Sequence, residues 1–297
     1  MEQEIKQFIL YLQLDKRLSP NSVVSYERDV HILSRFLYDN KVTHWRDVQA
    51  FHLNKYVYQL KVEQKKSSTI ARYISSTNVF FQYLQRQGVI VNNPVALITP
   101  PKAENKEPNI ISVETANQLL QMPDETTVIG KRDKAMLELL YASGLKVSEL
   151  VGLDVVDIKL ELGFVQCTTN YQQKERIVPI GKHALNALTM YIQQSREHFI
   201  SERNAGDALF LNHLGTRLTR QGCWKIFKRY AEKIGCADVI TPNTLRQSVA
   251  AHMLAKGADI TMVQEMLGHD TVATTLKYLP VSPTRLRENY EQSHPRA

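Results

Sequence analysis

The fold of this 297-residue chain is decided in its last third, where Thr241-Pro-Asn-Thr-Leu-Arg246, Leu267-Gly-His269 and Tyr278 follow one another. The arginine, the histidine and the tyrosine each have a helical context. Placed in this way, the three side chains can hold one phosphodiester from three sides, because a guanidinium group matches phosphate oxygens with paired hydrogen bonds. The pattern therefore predicts a phosphodiester-binding pocket.

Upstream of this stretch, residues 110–297 are predicted to form a mixed α+β domain with a small antiparallel sheet. Strands are predicted at Val155–Lys159, Phe164–Thr169 and Arg176–Ile180, and the polar turn Asn170–Glu175 joins the last two. Apolar periodicity predicts helices from Ser112 through Leu120, at Arg132–Tyr141, 182–194, 219–234, 243–256, 260–267 and 271–278.

Residues 1–98 are predicted to form a separate domain of four helices. Ser19 followed by Pro20 is typical of a helix start, because a hydroxyl caps the helix and proline suits its first position. The four segments are Ile5–Leu14, the stretch after Ser19, Trp45–Leu60 and Ser67–Gly88. Residues 99–109 hold three prolines and four charges without apolar periodicity, which is typical of a linker. The predicted fold class is therefore mainly α.

The charge balance indicates a polyanionic partner such as a nucleic acid. The net charge is +7, and residues 1–105 hold 14 Lys and Arg against 9 Asp and Glu, whereas the rest holds 23 against 21. Such an excess favours a polyanion because each neutralised phosphate releases counterions. The candidate DNA contacts of the N-terminal domain are Lys16, Arg17, Arg28, Lys65, Lys66 and Arg72.

Composition also argues against other classes of protein. No apolar run approaches the roughly 20 residues that span a bilayer. The acidic N-terminus lacks the organisation of a signal peptide, so we expect a cytoplasmic protein without a membrane partner. The scattered Cys167, Cys223 and Cys236 show no CxxC spacing, which argues against zinc. We expect no small-molecule substrate.

Seven segments, in order along the chain, carry a resemblance. They are Leu18-Ser-Pro-Asn-Ser22 with Tyr26, Asn92-Asn-Pro-Val95, Leu140-Tyr-Ala-Ser-Gly-Leu-Lys-Val-Ser-Glu-Leu-Val-Gly-Leu153, Lys174-Glu-Arg-Ile-Val-Pro-Ile180, Thr241 to Leu254, Val263-Gln-Glu-Met-Leu-Gly-His269 and His294-Pro-Arg-Ala297. They resemble, respectively, the first DNA-clamping helix, the domain exit, the first catalytic motif, the strand after the catalytic hairpin, the second and third motifs and the ending of Xer-type tyrosine recombinases.

This resemblance implies a two-domain clamp around duplex DNA and a tyrosine that attacks a phosphodiester. The attack gives a 3′-phosphotyrosyl link and a free 5′-hydroxyl, with help from two arginines, a lysine and two histidines and without a metal or nucleotide cofactor. Arg246, His269 and Tyr278 match the second arginine, one histidine and the nucleophile. Glu149 is retained as a supporting residue.

Three catalytic positions depart from the family pattern. Lys146 replaces the first arginine and lacks its planar fork. Tyr171 replaces the hairpin lysine when counted back from Lys174, and Asn170 does so when counted forward from Lys146; neither can act as an ammonium acid. Asn243 replaces a histidine and cannot shuttle a proton near pH 7.

Two further cations lie in or beside the hairpin turn. Lys174 can substitute for the missing lysine, although a solvated or phosphate-contacting turn residue is the simpler interpretation. Lys174 and Arg176 are also candidate DNA contacts.

Three hypotheses follow. The first is a DNA-binding protein of tyrosine-recombinase architecture in which cleavage at Tyr278 is strongly impaired. The second is an active recombinase with a rewired site that uses Lys146, Lys174 and Asn243. The third is a transcription regulator with a helix-turn-helix at Ile260–Tyr278. By analogy with the family, the tail that holds Leu286 and Tyr290 is expected to mediate self-association or to dock on a partner recombinase.

Overall fold

The computed structural model describes residues 1–101, 107–168, 175–200 and 206–279. The chain divides into two compact units, Met1–Lys106 and Glu107–Ala297. The boundary falls within the stretch that the sequence predicts as a linker. None of the described helices is both long enough and apolar enough to cross a membrane.

The first unit is a helical bundle. Its α-helices, among the described residues, are α1 (Glu2–Leu14), α2 (Pro20–Asp39), α3 (Ala50–Val62) and α4 (Ser67–Arg86). The predicted cap of α2 is present, since the Ser22 N–H donates to the Ser19 hydroxyl at 3.2 Å. The core is aromatic, with the Trp45 and Phe80 rings edge to face at 4.7 Å.

The predicted helix from Trp45 begins later than expected. Trp45–Asp47 is a separate 3-10 turn, and α3 starts at Ala50. The Trp45 side chain is buried, and its indole N–H donates to the Met1 carbonyl at 3.1 Å. This tertiary contact fixes Trp45 outside the helix, and local periodicity could not reveal it.

The second unit combines helices with a three-stranded antiparallel sheet, as predicted. Its described helices are α5 (Val113–Gln121), α6 (Val128–Ser143), α7 (Val147–Gly152), α8 (Lys182–Gln194), α9 (Arg220–Lys233), α10 (Pro242–Ala255), α11 (Ile260–Leu267) and α12 (Val272–Leu276). The strands, in the order β1-β2-β3, are β1 (Ile158–Lys159), β2 (Phe164–Thr168) and β3 (Glu175–Pro179).

Two local predictions need correction here. Val155–Asp157 is a 3-10 turn rather than the start of a strand, because the Asp154 N–H donates to the Asp157 carboxylate at 2.8 Å and closes the turn. Helix α7 was not predicted. It begins directly after Lys146, whose N–H donates to the Glu149 carboxylate at 2.8 Å.

Candidate phosphodiester site

The site is built where two helices end. Gly144 ends α6 and Gly268 ends α11, and both adopt left-handed backbone conformations with φ of 59° and 62°. Arg246 of α10 is buried and donates from Nη1 to the Gly144 carbonyl and from Nη2 to the Leu267 carbonyl, each at 2.5 Å. Because helix C-termini carry partial negative charge, they stabilise this cation.

A second arginine, Arg176, contacts the C-terminal end of α11. Arg176 of β3 donates from Nε to the Met266 carbonyl at 3.0 Å, and both its Nη atoms bind the Glu149 carboxylate, at 2.9 and 2.8 Å. Its three nitrogens are therefore engaged within the protein. Its predicted role as a DNA contact stays a prediction, although its fork already holds a carboxylate.

Glu149 links the two arginines electrostatically. Its side chain is 6% exposed, and one carboxylate oxygen lies 4.0 Å from Nη1 of Arg246. Burial acts to raise the pKa of Glu149, but the hydrogen bonds and charge of Arg176, the Lys146 N–H and the charge of Arg246 outweigh burial and lower it. The carboxylate therefore stays ionised and fixes Arg176 against α11.

His269 and Tyr278 lie near each other, and each is close enough to Arg246 to interact with its charge. The His269 N–H donates to the Gln264 carbonyl at 3.1 Å, and its ring Nδ1 lies 2.9 Å from the Thr275 hydroxyl. The rings of His269 and Tyr278 are 6.2 Å apart between centroids. The second unit thus brings together the three residues that match the family pattern.

The His269 imidazole is held neutral. Burial lowers its pKa to about 4, with further contributions from the positive charges of Arg246, Lys146 and Arg176. At neutral pH its single N–H can donate to a phosphate, but the ring lacks the second, acidic proton of an imidazolium and so is a poor general acid. The same shift shows that the charge of Lys146 reaches the site.

Two of the predicted replacement residues are exposed. The Lys146 side chain has no hydrogen bond or ion pair within the described ranges, although its backbone N–H caps α7. The Asn243 amide, one turn before Arg246 on α10, likewise has no partner among the residues that the structure describes. Both are thus available to a ligand, but neither is fixed by a neighbouring group.

The hairpin residues Asn170, Tyr171 and Lys174 lie outside the described residues, as does the tail with Leu286 and Tyr290. Their predicted roles stay predictions. Clusters of three or more His, Cys, Asp or Glu able to hold a metal ion are absent from the described parts of the chain.

The inward orientation of the Arg176 side chain was only partly predictable from the sequence. It alternates with Val178 on β3, and Val178 is fully buried. Period-two alternation would have placed Arg176 on the inner face. The exposed Ile177 between them made the two faces indistinguishable by hydrophobicity.

Removing the charge of Glu149 should destabilise the second unit. We expect Glu149→Gln to lower the free energy of unfolding by about 3 kcal/mol, because it leaves Arg176 largely buried without a counter-ion. Urea unfolding at pH 7 measures this. The carboxylate's contribution should be lost as pH falls through its lowered pKa, so the difference from the unmodified protein should shrink in acid. The exposed Glu161→Gln is the control, and equal effects of the two changes would contradict this role.

The neutral state of His269 can be measured directly. We expect an NMR titration of its ring to show a midpoint near pH 4. This group should lower stability as pH falls from its unfolded pKa near 6.5 towards 4, because the unfolded chain binds the proton more tightly. Lys146→Gln should raise the midpoint by removing a positive charge, whereas Lys146→Arg should leave it in place. An ordinary midpoint in the unmodified protein would contradict the described environment.

Comparison with known proteins places this chain in a family. Residues 5–88 match the "Phage integrase, N-terminal SAM-like domain" and residues 109–285 match the "Phage integrase family". The chain is 43% identical to "Tyrosine recombinase XerD" of Oceanobacillus iheyensis and 40% identical to that of Listeria innocua, with 100% of each chain covered. The chain belongs to the phage integrase family, and within it to the Xer-type tyrosine recombinases, which act in DNA recombination.

Solved structures share the fold. One is the XerH site-specific recombinase bound to a palindromic difH substrate, in a post-cleavage complex, with a TM-score of 0.75 and 20% identity over 97% of this chain and 94% of that chain. Another is a lambda integrase dimer bound to a COC′ core site, with a TM-score of 0.74 and 14% identity over 94% and 95% of the two chains. The resemblance drawn from the sequence is confirmed. The helix-turn-helix alternative gains no support, since α11 and α12 lie within the matched integrase domain.

Proposed function

We propose that this protein binds double-stranded DNA site-specifically and that its own strand cleavage at Tyr278 is strongly impaired. The observation that carries the proposal is the make-up of the pocket. Arg246, His269 and Tyr278 are assembled, whereas Lys146 and Asn243 stand at positions where the family pattern has an arginine and a histidine. The groups that would bind a phosphate are retained, whereas two groups that would stabilise charge or transfer a proton are replaced.

Charge and the relatives support DNA as the ligand. Both related structures reported above are complexes with DNA. The excess of positive charge lies in residues 1–105, and the candidate contacts Lys16, Arg17, Arg28, Lys65 and Lys66 are all exposed. Affinity should therefore fall steeply as salt concentration rises.

Among the described residues, the site supplies one guanidinium fork for a phosphate. Two of the five N–H donors of Arg246 are committed to backbone carbonyls, which orient the rest. Arg176 cannot add a second fork, because Glu149 already holds it. The ammonium of Lys146 offers charge without the planar geometry that matches two phosphate oxygens at once.

Proton transfer is the larger deficit. The leaving 5′-oxygen needs a proton, and neither neutral His269 nor Asn243 can supply one near pH 7. Tyr171, at the hairpin position, is a phenol where the family pattern has an ammonium group. Loss of a general acid costs about 10²–10⁴ in rate, and loss of one preorganised charge-stabilising donor costs about 10²–10³.

An active recombinase with a rewired site is the second candidate. The observation that favours it is identity of 40–43% over the full chain to proteins named as recombinases, together with the retained Tyr278 beside His269. In this alternative Lys174 acts as the acid and Asn243 as a hydrogen-bond donor. Restoring the family residues would then change cleavage little.

A protein that binds DNA without cutting it efficiently would act beside an active partner. We propose that the tail after Tyr278, with Leu286 and Tyr290, provides self-association or contact with a partner recombinase. Deleting residues 280–297 should then leave binding to a single half-site intact and abolish cooperative binding to two adjacent half-sites. Equal cooperativity in the full and shortened chains would contradict this role.

Binding and cleavage can be tested on the same DNA. Duplexes that the protein retains from a random-sequence pool are rebuilt with a nick near the bound centre, so that a cleaved fragment diffuses away and the covalent adduct accumulates. We expect a saturable gel shift with little adduct. Absence of binding to any duplex would refute the proposal, and abundant adduct would favour the active alternative.

A further inference from the structure

A groove of about 300 Å³, lined by residues with polar side chains, runs between α2 and α4 of the first unit. Its lining residues are mostly small, including Asn21, Ser22, Ser25 and Ser75, with Tyr26 and Arg72. Small polar side chains let a ligand approach the helices closely. Arg72 is the one cation among the residues that line this groove.

Arg72 is held in a fixed orientation. Its Nη1 donates to Oδ2 of Asp29, and its guanidinium lies over the Tyr73 ring, with Cζ 4.6 Å from the ring centroid. The Ser76 hydroxyl donates to the same Asp29 oxygen at 2.6 Å. Asp29 is itself 1% exposed, so the carboxylate that orients Arg72 belongs to the core.

The ion pair of Asp29 and Arg72 is not explained by a contribution to stability. Oδ1 of Asp29 is buried without a hydrogen-bond partner among the described residues. A buried carboxylate with an unpaired oxygen costs free energy, and an ion pair to a half-exposed arginine returns little of it. The pair does restrict where the guanidinium can lie.

The charge of Asp29 also distinguishes Arg72 from the other candidate contacts. The pair is close to neutral, so Arg72 adds little to phosphate attraction. Lys66 and Arg28 are exposed and have no carboxylate partner in the described ranges. They suit phosphate contacts, whereas Arg72 suits a neutral ligand with directional acceptors.

The edge of guanine in the major groove is such a ligand. It presents two acceptors, O6 and N7, which an arginine binds with paired hydrogen bonds. Arg72 has five N–H donors, its ion pair occupies one nitrogen, and its side chain is 45% exposed. We propose that Arg72, positioned by Asp29, reads a guanine base in the DNA site. This assignment rests on the proposed DNA-binding function and adds the residue that confers specificity.

The test compares sequence preference with salt dependence. Duplexes selected from a random pool by the unmodified protein define its preferred site, and each G·C pair of that site is then changed in turn. Arg72→Ala should reduce discrimination at one G·C pair by about 5- to 150-fold. The slope of log K against log salt should stay unchanged. Arg72→Lys, which keeps a positive charge beside Asp29 but lacks the planar fork, should lose part of the same discrimination.

Lys66→Ala, at the N-cap position directly before α4, is the matched control. It should weaken binding to all sequences equally and reduce the salt slope by about 0.9. Asp29→Asn tests the positioning role, and discrimination at the same base pair should fall. The salt slope should rise, because no carboxylate then offsets the charge of Arg72. Circular dichroism verifies that each variant is folded.

The outcomes separate the two proposals. Binding without any sequence preference, or unchanged discrimination in both Arg72 variants, would overturn the role of Arg72 and leave DNA binding standing. A uniform loss of affinity with a reduced salt slope in Arg72→Ala would make Arg72 a phosphate contact and also overturn the proposal. If the unmodified protein bound no duplex, both proposals would fail.

Discussion

Restoring the family residues at three positions should raise the rate of covalent DNA attachment by about four orders of magnitude. The change is Lys146→Arg, Tyr171→Lys and Asn243→His in one chain. A general acid contributes about 10²–10⁴ and a preorganised charge-stabilising donor about 10²–10³. The effects are not additive, so the gain should stay below their product. Single-turnover trapping on a nicked duplex measures it.

The control for this gain is the same triple variant with Tyr278→Phe, which should form no adduct. Gel shifts should show equal DNA affinity in all forms, so that only the chemical step differs. A triple variant no faster than the unmodified chain would mean that the site is already complete. It would favour the rewired active recombinase, with Lys174 and Asn243 in the missing roles.

Replacing the leaving 5′-oxygen of the DNA by sulfur should accelerate attachment by the unmodified protein by about 10²–10⁴. A thiol has a pKa near 8.5, so a thiolate leaves without a proton, whereas an alkoxide does not. The substitution therefore bypasses a missing general acid. It leaves unchanged the demands on Arg246 and on the nucleophile Tyr278. Paired oxygen and sulfur duplexes of one sequence give the ratio.

The restored triple variant is the comparison for the sulfur effect. Its lysine and histidine can protonate oxygen, so sulfur should give it little advantage. A sulfur duplex that reacts no faster than the oxygen duplex with the unmodified chain would show that proton transfer is not what limits cleavage. Slow cleavage would then be attributed to weaker stabilisation of phosphate charge by Lys146 than by an arginine.

Much of the architecture could be predicted because local signals agree with tertiary packing. The Ser19 cap, the periodicity of α2 and the pattern of α10 all specify helices that also bury an apolar face. The order of motifs also predicted that Arg246, His269 and Tyr278 act at one site, and the structure brings these three residues close to one another. Elements can be predicted from the sequence where local preference and global packing agree in this way.

The remainder depends on contacts that are distant in sequence. Arg176 binds Glu149 and the end of α11, which lie 27 and 90 positions away along the chain. Asp29 and Arg72 are 43 positions apart. The residues next to Arg176 and Arg72 in the sequence do not identify Glu149 and Asp29 as their buried partners. Both arginines were therefore predicted simply as DNA contacts, whereas the structure gives each a partner within the protein.

The most direct test of the central claim is covalent trapping of the unmodified protein on a nicked duplex that it binds. At saturating protein we predict that most of the DNA is bound, while the adduct stays close to the background set by Tyr278→Phe. Attachment of most of the bound DNA at a rate matching the restored triple variant, and lost in Tyr278→Phe, would contradict the account.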